Sequence, residues 1–384
     1  MSQDPQKFQD PWLLTPGPLT TSMSVKESML HDWGSRDQNF IAINSRMRSR
    51  LVEMIDGQGA FTCVPMQGSG TFAVEAMVGA FVPPQGKLLV LINGAYGKRI
   101  QKIAAYHKRA CVALEWPEDQ AVDPAKVAKA LADDKAITHV AVIHCETTSG
   151  VLNPIAEVSK VVAAAGRKLL IDSMSAFGAI PVSSKDVTYD AVAASSNKCI
   201  EGVPGLGFVL ARIDALKACE GNSPSLALDL YDQWQALEKT GQYRFTPPIH
   251  CIVAFDQAMT EHAEEGGVAG RGARYRNNCK VLVDGMRGMG FETLLPDQIQ
   301  APIIITFHMP ADPRFNFQSF YDKLKDRGYV IYPGKLTVAD SFRIGCIGRL
   351  NETHMKGALL AVKAAMAELG VASGSPRRQA ASAE

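Results

Sequence analysis

From about residue 60 to about residue 212 the chain alternates short, apolar, β-rich runs with segments of helical period, and few folds accommodate that alternation. Residues 88–92, 140–144, 168–171 and 191–194 read as buried strands. Between them, Asp123 and Pro124 form an N-cap and first-turn pair for a helix reaching Asp133. Pro154 opens another helical stretch, which Gly166 closes. Strands that are apolar along their length and linked by helices predict an α/β fold. Its sheet is mostly parallel and covered on both faces.

The pattern changes after residue 212. Residues 213–250 read as irregular, with a loop over 243–248, and 255–265 reads as helical. Gly266, Gly267, Gly270 and Gly272 then mark a domain boundary. Beyond it a basic helix near 275–287, strands near 302–308, 329–332 and 341–346, and helices near 317–325 and 352–369 predict a small α+β unit. The expected organisation is an N-terminal segment (1–20), a large α/β domain (21–265), a small domain (266–371) and a disordered polar tail (372–384).

Charge narrows the function classes. Lys and Arg number 40 against 39 Asp and Glu, a net charge of +1. Neither nucleic acid nor a membrane surface would attract such a chain, so anion recognition must come from local clusters. The eight cysteines include no C-x-x-C pair, which predicts reduced thiols and no zinc or disulfide framework. Residues 1–10 lack an apolar signal core, and no run approaches the ~20 apolar residues of a membrane span, so a cytoplasmic protein is expected.

Three motifs carry chemistry. In the first, Gln67-Gly68-Ser69-Gly70-Thr71 opens a helical stretch. Backbone N–H groups and the positive end of a helix dipole there suit a phosphate. Gly68-x-Gly70-x-x-Ala73 also matches a dinucleotide fingerprint, but the acid expected ~20 residues on is missing, which disfavours a nicotinamide oxidoreductase. The second is Asp172, at the end of an apolar strand, where open α/β sheets bind ligands. The third is Lys198, between an apolar strand and the glycine-rich turn 202–207. An amine held there out of water, near other cations, deprotonates more readily and can form a Schiff base. Singly, each has a bland alternative: a helix cap, a strand-end cap, a loop lysine. Together they supply what pyridoxal phosphate needs: a phosphate cup, a carboxylate for the pyridine nitrogen and an amine for the aldehyde.

The chain resembles the fold-type I, class-V pyridoxal-phosphate aminotransferases from Leu13 to about Leu369. The matching pieces fall in the family's order: LLTPGPLTTSMSVKESMLHDWGSRD (13–37), GSGT (68–71), NGAYGKR (93–99), ETTSG (146–150), DSMSAFG (172–178), SSNKCIEGVPG (195–205) and FRIGCIG (342–348). The resemblance implies the fold-type I architecture and roles for single residues. Ser69, Gly70 and Thr71 would hold the cofactor phosphate, with Asn197 as a second contact. Tyr96 would stack on the pyridine ring, Met174 would pack near its other face, and Thr147 would lie near the phenolic oxygen. Asp172 would pair with the ring nitrogen, and Lys198 would be both anchor and general base. Tyr243 and Thr246 would reach the phosphate of a neighbouring subunit, implying a homodimer. Arg343, on the strand near 341–346, would clamp the substrate anion, assisted by the backbone at Gly17.

The opening segment 13–37 points, by the same resemblance, to 2-aminoethylphosphonate as amino donor and pyruvate as acceptor. The alternatives are an alanine–glyoxylate or serine–pyruvate type of transfer, a lyase or desulfurase of the same fold, and a cofactor-binding module without catalysis. No cysteine sits in a glycine-rich mobile loop, as a desulfurase would want.

Overall fold

The computed structural model describes residues 10–376 apart from 335, 337 and 338. Seven strands form the central sheet: β1 (Phe61–Gln67), β2 (Lys87–Ile92), β3 (Ala110–Glu115), β4 (His139–Ile143), β5 (Lys168–Asp172), β6 (Ala191–Ser195) and β7 (Leu206–Arg212), in the order β1-β7-β6-β5-β4-β2-β3. β2 is parallel to β3 and β4, and β4-β5-β6 continue in parallel. Both faces are covered: one core holds Leu89, Val140, Ile171 and Val192, the other Val90, Ala141, Leu170 and Ala193. That two-sided burial is why these strands spell as continuous apolar runs.

β7 departs from the parallel expectation, running antiparallel to both β6 and β1. Only ten residues separate β6 from β7, too few for a parallel crossover, which needs roughly a dozen or more. Residues 213–250 also differ from their irregular reading, since they contain helices Ile213–Lys217 and Leu230–Thr240. Leu230, Trp234 and Leu237 turn one stripe of the second helix into the core, and the Asp229 side chain caps it by accepting from Asp232 N–H at 3.0 Å. A further helix, Gln38–Glu53, is capped by Asp37 and buries Phe40, Ile43, Met47 and Leu51.

The chain breaks at Gly266, whose φ of +96° ends one helix before Gly267–Gly288 begins. The C-terminal unit carries a three-stranded antiparallel sheet of β8 (Ile304–His308), β9 (Tyr332–Pro333) and β10 (Ser341–Gly345), in the order β8-β10-β9. Helices Gly267–Gly288, Phe317–Lys325 and Glu352–Glu368 pack around it on a separate core. The N-terminal segment joins this unit, because Trp12–Leu13 pairs in parallel with Tyr329–Val330. Residues 372–376, expected within a disordered tail, are held: Gly374 N–H donates to Met289 O and Ala311 N–H to Ser375 O. The rest of that tail, 377–384, and residues 1–9 lie outside the described residues. Among the described residues, no helix is long and apolar enough to cross a membrane.

Candidate active site

The parallel strands deliver their C-terminal ends to one edge of the sheet, where β1, β2, β4, β5 and β6 all open onto a single cavity of about 170 Å³. Placement at these ends is the general rule for ligand sites in open α/β sheets.

β1 leads through Gly68 into helix α1 (Gly70–Phe81). Gly68 has φ +115°, and a Cβ there would press the Phe72 ring at 2.6 Å, so the turn requires glycine. Ser69 occupies the N-cap position without making a side-chain cap bond, so its hydroxyl is not committed to the helix. Ser69, Gly70 and Thr71 all line the cavity. A Cβ on Gly70 would lie 2.4 Å from Met174 Sδ, so this glycine lets Met174 approach the cup.

Asp172 is the last residue of β5 and 5% exposed. Its Oδ1 accepts from Met174 N–H at 3.0 Å. Burial pushes its pKa up from 3.8 to about 6, nearby Glu146 pushes the same way, and Arg99 and Lys198 pull it down. A carboxylate so placed is stabilised by a cation at close range. Lys198 follows β6. Its Nζ donates to Pro16 O at 2.7 Å, and a Cβ on Gly17 would fall 2.2 Å from that nitrogen, so the N-terminal segment lies directly against the lysine.

Tyr96 sits on helix α2 (Ala95–Tyr106) and faces the cavity with Thr147, Met174 and Asn197; Asn197 Oδ1 accepts from Ser195 Oγ at 3.0 Å. Arg343 lies on β10, 1% exposed and paired with Thr306 and Tyr332. It does not line the cavity wall but stands behind Thr147, whose carbonyl accepts from Nη1 at 2.8 Å, while Nε donates to Pro333 O at 3.1 Å. Nη2 finds no acceptor among the described residues. Burial pushes the Arg343 pKa down while Tyr96, Tyr332 and Glu146 raise it.

Two further residues are not brought to this cavity. Tyr243 packs between the two cores of the large unit, its buried hydroxyl without a partner among the described residues, and Thr246 is exposed. Conversely, three participants escaped the sequence reading. Glu146, fully buried, takes the place of a missing cap on α2. Gly94 at the N-cap has no side chain, and Glu146 Oε2 accepts from Tyr96 N–H at 3.2 Å. Arg99 lines the cavity one helical turn after Tyr96, a spacing that could have revealed it. The Pro16 carbonyl left no sequence signal.

Cup, buried acid and strand-end amine around one cavity suit a phosphorylated aldehyde cofactor with a basic ring nitrogen. Comparison with known proteins agrees. Residues 21–337 match the aminotransferase class-V family. The chain is 54% identical over 368 residues to a 2-aminoethylphosphonate–pyruvate transaminase of Rhizobium meliloti, covering 96% of each. It is 52% identical over 361 residues to a second protein of that name from Burkholderia lata, covering 94% of this chain and 96% of the other. Among solved structures, pyridoxamine–pyruvate aminotransferase from Mesorhizobium loti superposes with a TM-score of 0.86 at 25% identity, covering 95% of this chain and 94% of that one. The match in sequence spans both units and every strand that delivers a residue to the cavity, so the chain belongs to the class-V aminotransferase family.

Proposed function

We propose that the chain transfers the amino group of 2-aminoethylphosphonate to pyruvate, giving phosphonoacetaldehyde and L-alanine, with pyridoxal 5′-phosphate held at Lys198. The observation that carries the cofactor reading is the convergence of Ser69–Thr71, Asp172 and Lys198 on one cavity. The substrates follow from what the Rhizobium meliloti and Burkholderia lata relatives are named for.

When bound, the cofactor supplies an aldehyde for the amine and a ring that accepts the electrons released at the carbon bearing the nitrogen. Ser69, Gly70, Thr71 and Asn197 hold its phosphate. Tyr96 stacks on the ring, Met174 packs near the opposite face, and Thr147 lies by the phenolic oxygen. Asp172 keeps the proton on the ring nitrogen, and the burial that raises its pKa strengthens that pairing. Lys198 Nζ would take the proton from the substrate carbon that bears the nitrogen and return it two atoms along, on the far side of that nitrogen; an amine on a strand-end turn is within reach of both. Nη2 and the second Nη1 hydrogen of Arg343 remain for a two-point clamp on phosphonate or carboxylate, with the Gly17 backbone alongside. The proposal includes a cytoplasmic homodimer in which Tyr243 and Thr246 serve the neighbouring subunit. It also divides the chain into units 21–265 and 266–371.

A donor screen decides the substrate. With pyruvate as acceptor, 2-aminoethylphosphonate should give the highest kcat/KM among amino donors, and Lys198→Ala should lose both turnover and the visible absorbance of the bound cofactor. Preference for an alanine–glyoxylate or serine–pyruvate pair would overturn the phosphonate reading. A yellow, active Lys198→Ala variant would overturn the role of the lysine.

A further inference from the structure

Among the described residues, three charged side chains line the cavity: Asp172, Lys198 and Arg99. The first two are committed to the ring nitrogen and the aldehyde, and the third has no role in the scheme above. Its place is well defined. Arg99 Nη1 donates to Thr71 Oγ1 at 3.1 Å, and its Cζ lies 4.7 Å from the centroid of the Tyr96 ring. The guanidinium is therefore held between the ring face and a hydroxyl of the cup. Its side chain is exposed, so it reaches the cup from the solvent side, and the rest of its fork finds no acceptor among the described residues.

The cup lacks charge without it. A helix N-terminus supplies only about half a positive charge, whereas a phosphate monoester carries roughly −1.5 to −2 near neutral pH. Ser69 and Thr71 add hydroxyls, not charge. Lys198 gives up its ammonium when it bonds the aldehyde. Among the described residues, Arg99 is then the one cation lining the cavity that remains for the anion.

We propose that Arg99 is a phosphoryl-binding residue that closes the cup on a dianion, and that this dianion is the cofactor's phosphate. Phosphate and phosphonate share the same oxygen geometry, and a planar fork suits either. Position favours the cofactor: the Arg99 bond goes to Thr71, in the cup, while the substrate anion is assigned to Arg343 behind Thr147. The inference rests on reading the cavity as a pyridoxal-phosphate site.

The test measures binding rather than turnover. Cofactor-free wild type, Arg99→Gln and Arg99→Lys are titrated with pyridoxal 5′-phosphate and, separately, with pyridoxal, which lacks the phosphate. Inorganic phosphate is added as a competitor. Arg99→Gln should bind pyridoxal phosphate roughly 10- to 100-fold more weakly, as expected for loss of a charge-assisted, two-point contact. Pyridoxal capture should be unchanged, inorganic phosphate should compete less well, and Arg99→Lys should recover part of the loss. Equal weakening for pyridoxal and its phosphate would overturn the proposal, since the effect would then lie on the ring. Unchanged cofactor binding with a raised KM for 2-aminoethylphosphonate, but not for pyruvate, would also overturn it and move Arg99 to the substrate. A wild type that binds neither aldehyde would instead refute the cofactor reading on which the inference stands.

Discussion

The Asp172 carboxyl is buried among apolar strands, and its pKa stands at about 6 instead of 3.8. The folded chain therefore holds this proton more tightly than the unfolded chain does. Between roughly pH 4 and 6 the folded state binds more protons, so the contribution to stability falls as pH rises through that window. At neutral pH the ionised acid costs the cofactor-free protein at most about 3 kcal/mol. Asp172→Asn keeps the oxygen that accepts from Met174 N–H and removes the charge. Without cofactor, this variant should be more stable than wild type by about 1–3 kcal/mol at pH 7.5, with the gain vanishing near pH 4. Urea unfolding at both pH values measures this, and an equal effect at the two would refute the assignment. Cofactor affinity of wild type should fall as pH drops below about 6, because the ring nitrogen then meets a protonated acid. Asp172 and Lys198 were legible in the sequence because strand ends announce themselves by composition. Glu146 and Pro16 were not, because they act through partners 50 and 182 residues away in sequence, and Arg99 showed only as a helical-turn spacing after Tyr96.

Helix α2 shows how an element depends on a neighbour's side chain. It begins at Gly94, and a Cβ there would lie 2.4 Å from Glu146 Cγ and Cδ. Gly94→Ala should push the Glu146 carboxylate away from Tyr96 N–H and from the Thr148 hydroxyl, which donates to it at 2.5 Å. Overpacking of this kind costs typically 1–3 kcal/mol. It should also weaken cofactor binding, since Tyr96 rides on the same helix turn. The identical exchange at Gly288, the last residue of Gly267–Gly288, meets nothing within 4 Å and should be neutral or stabilising by up to about 1 kcal/mol. Thermal unfolding of both variants checks the contrast in sign. At this scale the pattern located the four buried parallel strands Lys87–Ile92, His139–Ile143, Lys168–Asp172 and Ala191–Ser195, and, through an apolar period with a cap, helices Pro124–Asp133 and Phe317–Lys325. It missed the parallel edge strand Ala110–Glu115, which is only partly buried. It missed Leu230–Thr240, whose 4,3 apolar spacing was present but hidden among glycines, prolines and serines. The direction of β7 is set by loop length, which a strand's own composition does not record.

The two units meet at a buried charge cluster, and at the scale of the whole molecule this cluster ties the Lys198 turn to the C-terminal unit. Glu201, three residues after Lys198, has φ +66° and is 2% exposed. Its Oε1 accepts from Arg274 Nη2 at 2.7 Å and from the Tyr275 hydroxyl at 2.5 Å. Arg274 also donates through Nε to Glu265 Oε1 at 2.6 Å, and through Nη1 to the carbonyls of Gly348 and Leu350 at 2.6 and 2.7 Å. Arg271 donates to Cys199 O at 2.5 Å and to Glu265 Oε2 at 2.7 Å. One guanidinium thus grips the turn after Lys198 and the segment after Arg343's strand. Arg274→Ala leaves Glu201 with Tyr275 and the more distant Arg271, whose Nη1 is 3.5 Å from Oε1. Removing one partner of a buried ion pair costs about 3–5 kcal/mol, and the remaining partners place this case near the lower figure. Arg274→Lys should recover little, because an ammonium cannot reach carboxylates and carbonyls on four sides at once. By contrast, Lys129→Ala breaks an exposed pair on helix Pro124–Asp133 and should cost no more than about 0.5 kcal/mol. Urea unfolding compares the three. A loss below about 1 kcal/mol for Arg274→Ala would show that apolar contacts across the junction, such as Leu19, Cys199, Tyr275 and Ile347, hold the units together without the charges.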